Sequence, residues 1–140
     1  DGSKKMSKSE LSDLSRINLT DSKDQIINKI KKAKTDPMPM PNNLEELNER
    51  LEAKNLLGIY ASLTNSSLEK SIANFSGKNF SEFKESLSEI LVNKIEPISI
   101  EIKKLLADQK YLDQILLEGV EKANLIASKK IKKIKEIVGF

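Results

Sequence analysis

Between Phe80 and Leu91 the chain reads Phe-Ser-Glu-Phe-Lys-Glu-Ser-Leu-Ser-Glu-Ile-Leu, with apolar residues three or four positions apart. Residues at that spacing share one face of an α-helix, so the stretch predicts an amphipathic helix. The pattern continues beyond Pro97 through Ile98, Ile102, Leu105 and Leu106. Because proline interrupts the helical hydrogen-bond ladder, we expect two helices that meet at Pro97 or one long helix kinked there.

Helical patterns also lie on both sides of this segment. Upstream, we expect a helix from about Ser22 to Lys34, where Ser22 and Gln25 form a capping box. Its lysines are expected largely on the solvent side, opposite Ile26 and Ile30. Downstream, the apolar seam of residues 111–138 predicts a last helix whose final turns are strongly basic.

The region between these helices has weaker signals. Three prolines within residues 36–41 predict a linker and a boundary, because each removes a backbone donor. A helix is expected from about Glu52 to Leu63, while residues 44–50 fit either a helix or a loop. A short helix capped by Ser66 or Ser67 should end near Asn74, before a left-handed Gly77.

Composition favours the all-α class. Of 140 residues, 38% are apolar and 32% charged, but only 4% are aromatic, which suits well-solvated helices better than a β-sandwich. We therefore predict an antiparallel bundle of five or six helices. The formal net charge of +3 is too small to identify a partner.

The residue types that the chain lacks exclude several kinds of site. With no Cys and no His, the chain contains no Ser-His-Asp or Cys-His nucleophile, no Cys/His zinc site and no disulfide. No apolar run reaches the roughly 18 residues that would span a bilayer, so no membrane partner is expected. The opening at Asp1 has no signal peptide and resembles a cut, and we expect a cytoplasmic protein.

The sharpest motif is Lys5-Met6-Ser7-Lys8-Ser9. Two ammonium groups three residues apart, with hydroxyls between and after them, can follow a polyphosphate by charge attraction and short hydrogen bonds. Such cations stabilise a transition state if they engage charge that develops on departing pyrophosphate. The alternative is accident, but chance would place this string in a chain of this composition only about once in a thousand.

This pentapeptide resembles the KMSKS signature of the class I aminoacyl-tRNA synthetases, and the remaining chain resembles the bacterial tryptophanyl branch. The matching stretches are residues 15–19, 29–36, 55–61, 77–84, 96–98, 115–123 and 138–140. The family's His-x-x-His motif cannot lie here, since the chain has no His. Leu51 stands where relatives commonly have proline. The resemblance therefore implies the C-terminal part of a synthetase whose Rossmann catalytic domain lies elsewhere.

Three regions follow from the resemblance. Residues 1–20 would be the KMSKS loop and the tail of the catalytic domain, residues 21–41 a connecting helix and Pro-rich linker, and residues 42–140 a helical anticodon-binding domain. The matching positions imply that Lys5, Met6, Ser7, Lys8 and Ser9 bind ATP, with Lys5 and Lys8 as the catalytic cations.

The parent enzyme would activate tryptophan with ATP and Mg²⁺ and transfer it to tRNA(Trp), and it would be a homodimer. The 140 residues alone are expected to be inactive. Two alternatives stay open: a non-catalytic helical RNA-binding or interaction module, and a tyrosyl-specific ligase.

Other polar and aromatic groups have a structural and a functional interpretation. The lysines of residues 29–34 and 129–135 could contact tRNA phosphates, but solvated helix faces are favoured. Phe75, Phe80 and Phe83 could stack on bases, but their spacing favours the core. The charged run of residues 45–52 is expected to be a solvated helix face. Four side chains could read base edges or form caps and turns: Asn42, Asn43, Asn79 and Arg50.

Overall fold

A computed structural model describes Ser7 and residues 9–139 of the chain. Its elements are a 3-10 helix at Asp13–Ser15, then α1 (Lys23–Lys32), α2 (Leu44–Asn48), α3 (Leu51–Thr64), α4 (Leu68–Phe75), α5 (Phe80–Ala107) and α6 (Gln109–Val138). This part of the chain contains no strand, so the all-α prediction is confirmed. The antiparallel bundle stays a prediction. The chain divides into two compact units, of which the first ends at Ile100 and the second begins at Glu101.

Helix α1 begins as its sequence predicts. The hydroxyl of Ser22 accepts a hydrogen bond from the backbone N–H of Gln25, and the Gln25 side chain accepts one from the N–H of Ser22. This capping box satisfies two backbone donors that have no partner within the helix. Ile26 and Ile30 are buried on one face, as expected, and the helix ends at Lys32, slightly before the predicted Lys34.

Four aromatic rings form the centre of the first unit. Phe83 is fully buried, and its ring centroid lies 4.9 Å from that of Phe75 in an edge-to-face arrangement. Tyr60 meets Phe75 at the same distance with perpendicular planes, and Phe80 lies 6.5 Å from Phe83. Edge-to-face pairs add to the stabilisation that burial provides. The prediction that the phenylalanines belong to the core is confirmed.

The Pro-rich segment packs into this core. Met40 is 1% exposed, and its backbone N–H donates to the Lys78 carbonyl at 2.8 Å. In return, the Met40 carbonyl accepts from the N–H of Gly77 at 3.2 Å, and Gly77 has the predicted left-handed backbone with φ of 70°. The hydrophobic core therefore includes residues before and after Pro41. Met40 belongs to this core, although the sequence pattern placed it in a linker.

Arg50 holds the start of the Pro-rich segment. Its guanidinium makes two hydrogen bonds to Asp36, Nε at 2.9 Å and Nη2 at 2.5 Å, and Nη1 donates to the Pro39 carbonyl at 2.7 Å. The guanidinium carbon also lies 5.6 Å from the centroid of the Phe80 ring. Since a bidentate pair fixes distance and orientation together, Arg50 positions the segment against α5.

Two of the asparagines of this region form helix caps. Asn43 caps α2, because its side-chain oxygen accepts from the Glu46 N–H at 2.9 Å. Asn79 does the same for the first turn of α5 through the N–H of Glu82. Residues 44–50 therefore begin with a short helix, and α3 starts at Leu51, close to the expected Glu52.

Helix α5 runs through Pro97 as one helix. Pro97 deprives the carbonyl four residues earlier, that of Asn93, of its donor. Both residues are exposed, so water can reach that carbonyl. In the second unit, α6 begins at a cap formed by Asp108, whose side chain accepts from the Tyr111 N–H at 3.0 Å. The predicted last helix is confirmed.

No helix in the described part of the chain combines the length and the apolarity that a membrane crossing needs.

Two leucines of α3 should lose different amounts of stability when each is replaced by alanine, because one is buried and the other is exposed. Leu57 is 0% exposed and Leu51 is 52% exposed. We expect Leu57→Ala to lower the free energy of unfolding by about 2–5 kcal/mol, and Leu51→Ala by about 0.5 kcal/mol or less. Urea unfolding followed by circular dichroism measures both. Equal losses would contradict the core that we describe.

Candidate functional site

Of the predicted site residues, Ser7 and Ser9 are described, whereas Lys5, Met6 and Lys8 lie outside the described residues. The hydroxyl oxygens of Ser7 and Ser9 are 2.9 Å apart, and the Ser9 N–H donates to the Ser7 hydroxyl at 3.3 Å. Both residues are exposed. The two serines, which flank Lys8 in the sequence, therefore present adjacent hydroxyls to solvent.

The segment that follows the serines is held by short-range contacts. Ser12 caps the 3-10 helix at Asp13–Ser15, because its hydroxyl accepts from the Leu14 N–H at 3.4 Å. Arg16 Nη1 donates to the Glu10 carbonyl at 3.2 Å, and Arg16 Nη2 lies 3.1 Å from Asp13 Oδ1. These contacts join residues that are close in sequence. They shape the segment but do not attach it to any of the helices α1–α6.

A buried lysine connects this segment with α1. Lys29 Nζ lies 2.6 Å from Asp13 Oδ2 and 2.7 Å from Asp21 Oδ2. Asn18 joins the two carboxylates: its side-chain amide donates to Asp13 at 3.0 Å and to Asp21 at 3.3 Å, and its backbone N–H donates to Asp21 at 2.8 Å. We call Asp13, Asn18, Asp21 and Lys29 the Lys29 cluster.

The position of Lys29 corrects a prediction. The sequence pattern places Lys29 on the solvent side of α1, but it is only 6% exposed and lies on the buried face, between Ile26 and Ile30. A buried ammonium needs anionic partners, and here Asp13 and Asp21 provide them. Lys29 is therefore engaged within the protein and is not part of a cationic surface for RNA phosphates.

Electrostatic contacts in the cluster change the acidity of two groups. The hydrogen bond from Lys29, followed by that from Asn18, holds the pKa of the Asp13 carboxyl below its usual value. Burial alone would lower the pKa of Lys29, but the hydrogen bonds and charges of Asp13 and Asp21 outweigh burial and raise it. Both shifts favour the charged forms at neutral pH.

The other lysines of residues 29–34 are not part of the Lys29 cluster. Lys31 and Lys32 are exposed, and Lys34 Nζ lies 3.0 Å from Glu52 Oε1. Lys84 of α5 donates from Nζ to the Ala33 carbonyl at 2.6 Å and to the Lys31 carbonyl at 3.2 Å, at the end of α1. Burial lowers the pKa of Lys84.

Lys84 also lines an open cavity of about 690 Å³ between α1 and α5. Lys23 and Lys31 contribute further positive charge to this cavity, but Glu85 and Glu89 line it as well. Its mixed charge does not select a class of ligand. Within the described residues, no group of three or more His, Cys, Asp or Glu side chains could hold a metal ion.

A comparison with models of protein families shows which family the chain belongs to. The model of the family described as "tRNA synthetases class I (W and Y)" matches residues 1–95, which include the motif of residues 5–9 and the Lys29 cluster. The chain belongs to this class I tRNA synthetase family. The resemblance that the motif indicated is therefore confirmed at the level of the family.

Relatives in this synthetase family match the whole chain. It is 49% identical over 140 residues to the tryptophan–tRNA ligase of Agrobacterium fabrum, 47% to that of Rhizobium meliloti and 49% to that of Rickettsia felis. Each match covers 100% of this chain and 40–42% of the relative. The chain thus spans about 40% of the length of the curated relatives it matches.

Sequence reasoning did not identify the Lys29 cluster. A usable signal was present, because Lys29 stands three residues after Ile26 and directly before Ile30, both on the apolar face. A lysine at such a helical position is buried only if acidic groups reach it. Asp13 and Asp21 precede the helix and were among the available candidates.

The pKa shift of Asp13 predicts how its contribution to stability depends on pH. Because its folded pKa is lower than its unfolded pKa, ionised Asp13 stabilises the fold above the unfolded value of about 4. That stabilisation is lost as the pH falls through the folded pKa. We expect Asp13→Asn to be less stable than the unaltered chain near neutral pH, with a difference that shrinks in acid.

Urea unfolding of both proteins from about pH 7 down to about pH 3 measures this difference. A difference of the same size at both ends of the range would contradict the ionic role of Asp13.

Proposed function

We propose that the full-length protein containing this chain is a tryptophan–tRNA ligase. It joins tryptophan to AMP at the expense of ATP, which is bound with Mg²⁺, and then transfers the tryptophanyl group to tRNA(Trp). The observation that carries this proposal is the match of all 140 residues, at 47–49% identity, to relatives with that name.

In the first step, a carboxylate oxygen of tryptophan attacks the α-phosphorus of ATP. The bond between the α-phosphorus and its bridging oxygen to the β-phosphate breaks, and the electron pair leaves with pyrophosphate. Lys5 and Lys8 are the catalytic cations that stabilise this developing charge, as positively charged groups do in electrostatic catalysis. Met6, Ser7 and Ser9 complete the ATP-binding loop, and the adjacent hydroxyls of Ser7 and Ser9 offer hydrogen bonds to phosphate oxygens.

The amino acid that is activated follows from the relatives. The family model covers both tryptophan and tyrosine enzymes, so it does not choose between them. The three relatives cited above are tryptophan enzymes, which favours tryptophan over tyrosine. No contact of the described residues favours the alternative of a non-catalytic RNA-binding module.

The division of labour within the protein is also part of the proposal. Residues 1–20 supply the end of the catalytic domain, residues 21–41 connect it, and residues 42–140 recognise tRNA(Trp) as the anticodon-binding domain. The full-length protein acts as a homodimer. The 140 residues alone are inactive, because they span only about 40% of the relatives' length.

Removal of one motif lysine tests the role of the loop. In the full-length protein, we expect Lys8→Ala to slow tryptophan-dependent ATP–pyrophosphate exchange by about 100-fold or more, about 3 kcal/mol of transition-state stabilisation. The KM for tryptophan should stay unchanged. The matched control is Lys70→Ala, which removes an exposed lysine of α4.

Two results would argue against these assignments. An unchanged exchange rate in Lys8→Ala would refute the catalytic role of Lys8. Exchange that depends on tyrosine and not on tryptophan would refute the proposed substrate.

The salt dependence of tRNA binding tests the basic end of α6. If Lys132 and Lys133 bind phosphates, the double substitution Lys132→Ala/Lys133→Ala in the full-length protein should weaken tRNA(Trp) binding. It should also reduce the slope of log Kd against log salt by about one for each phosphate that is no longer neutralised. Fluorescence anisotropy with labelled tRNA measures this slope. A slope that matches that of the unaltered full-length protein would instead identify these lysines as a solvated helix face.

A further inference from the structure

The Lys29 cluster begins directly after the candidate ATP loop. Asp13 lies four residues after Ser9, within the 3-10 helix at Asp13–Ser15. Among the side-chain hydrogen bonds and ion pairs that residues 9–16 make with other described residues, the contact of Asp13 with Lys29 reaches farthest along the chain. The Asp13–Lys29 ion pair therefore ties this segment to α1.

The two ends of this ion pair have different surroundings. The Lys29 side chain is 6% exposed and is also paired with Asp21, whose side chain is 5% exposed. The Asp13 side chain is 51% exposed. Lys29 is thus fixed by α1 and by Asp21, whereas Asp13 could enter solvent without leaving Lys29 unpaired.

We propose that Asp13, acting through Lys29, is a positioning residue that holds the segment after the motif so that Lys8 meets the departing pyrophosphate. The proposal rests on the proposed tryptophan–tRNA ligase function. Asp13 follows Lys8 by only five residues in the sequence, so a contact that fixes Asp13 acts on the chain close to the motif. A catalytic cation gains most from being held in place, since a misplacement of about 1 Å can cost about 100-fold in rate.

A purely structural role makes a different prediction. Loss of the ion pair would then lower the stability of the fold but would leave the chemistry of the folded enzyme unchanged. The two roles separate in the kinetics, because a positioning residue depends on the group that it positions. Once Lys8 is removed, loss of Asp13 should have little further effect on the rate.

The experiment measures tryptophan-dependent ATP–pyrophosphate exchange by the full-length protein. Circular dichroism first verifies that each variant is folded at the assay temperature. We expect Asp13→Asn to lower kcat by about 10- to 100-fold with an unchanged KM for tryptophan. Lys29→Arg, which keeps the charge, should retain more activity than Asp13→Asn. The matched control is Asp24→Asn, which removes an exposed carboxylate from the first turn of α1.

The decisive comparison is the double variant Asp13→Asn/Lys8→Ala. We expect it to be about as slow as Lys8→Ala alone. If the two losses multiply, or if Asp13→Asn keeps the wild-type kcat, the positioning role is overturned while the proposed ligase function stands. If the unaltered full-length protein shows no tryptophan-dependent exchange, both proposals fail.

Discussion

The ammonium of Lys29 lies out of water with two carboxylates within hydrogen-bonding distance. A charge in such a place costs several kcal/mol unless a partner accompanies it; Asp21, which is buried with Lys29, is that partner, and the half-exposed Asp13 is a second one. Asp21 sits immediately before the Ser22 cap, and Asp13 sits in the segment that follows the motif. Contacts of one lysine thus connect the start of α1, the residue before its cap and the segment that follows the motif.

The same first unit uses a second long-range ion pair for a different purpose. Arg50 and Asp36 bring the Pro-rich segment against α5, and Met40 then enters the aromatic core. Prolines cannot donate backbone hydrogen bonds, so this segment depends on side chains and on the exchange of hydrogen bonds between Met40 and residues 77–78. The hydrophobic core therefore extends across the Pro-rich segment, although its composition is typical of a linker.

Most of the helices could be predicted from local sequence signals. The burial of Lys29 and of Met40 was missed because it depends on contacts between distant residues. The Ser22–Gln25 capping box, the left-handed Gly77 and the apolar period from Phe80 onward depend on neighbouring residues, and these predictions are confirmed. Lys29 is buried with Asp21 and Asp13, which lie 8 and 16 residues upstream, and the burial of Met40 depends on a turn far downstream. The helical period can show that Lys29 lies near the apolar face, but neither period nor composition shows which distant group pairs with it. For the candidate site, the sequence identified the motif and its family but not the ion pair that holds the following segment.

The two aspartates of the Lys29 cluster differ in exposure, so the two ion pairs of Lys29 differ in what it costs to break them. With Asp21 retained, Lys29 stays neutralised when Asp13 leaves, and the half-exposed Asp13 carboxylate can be rehydrated. Separation of this pair therefore avoids the large penalty of an unpaired buried charge. Separation of Lys29 from Asp21 would incur that penalty, because both groups are buried. Loss of the Asp13 contact should therefore cost less stability than loss of the Asp21 contact.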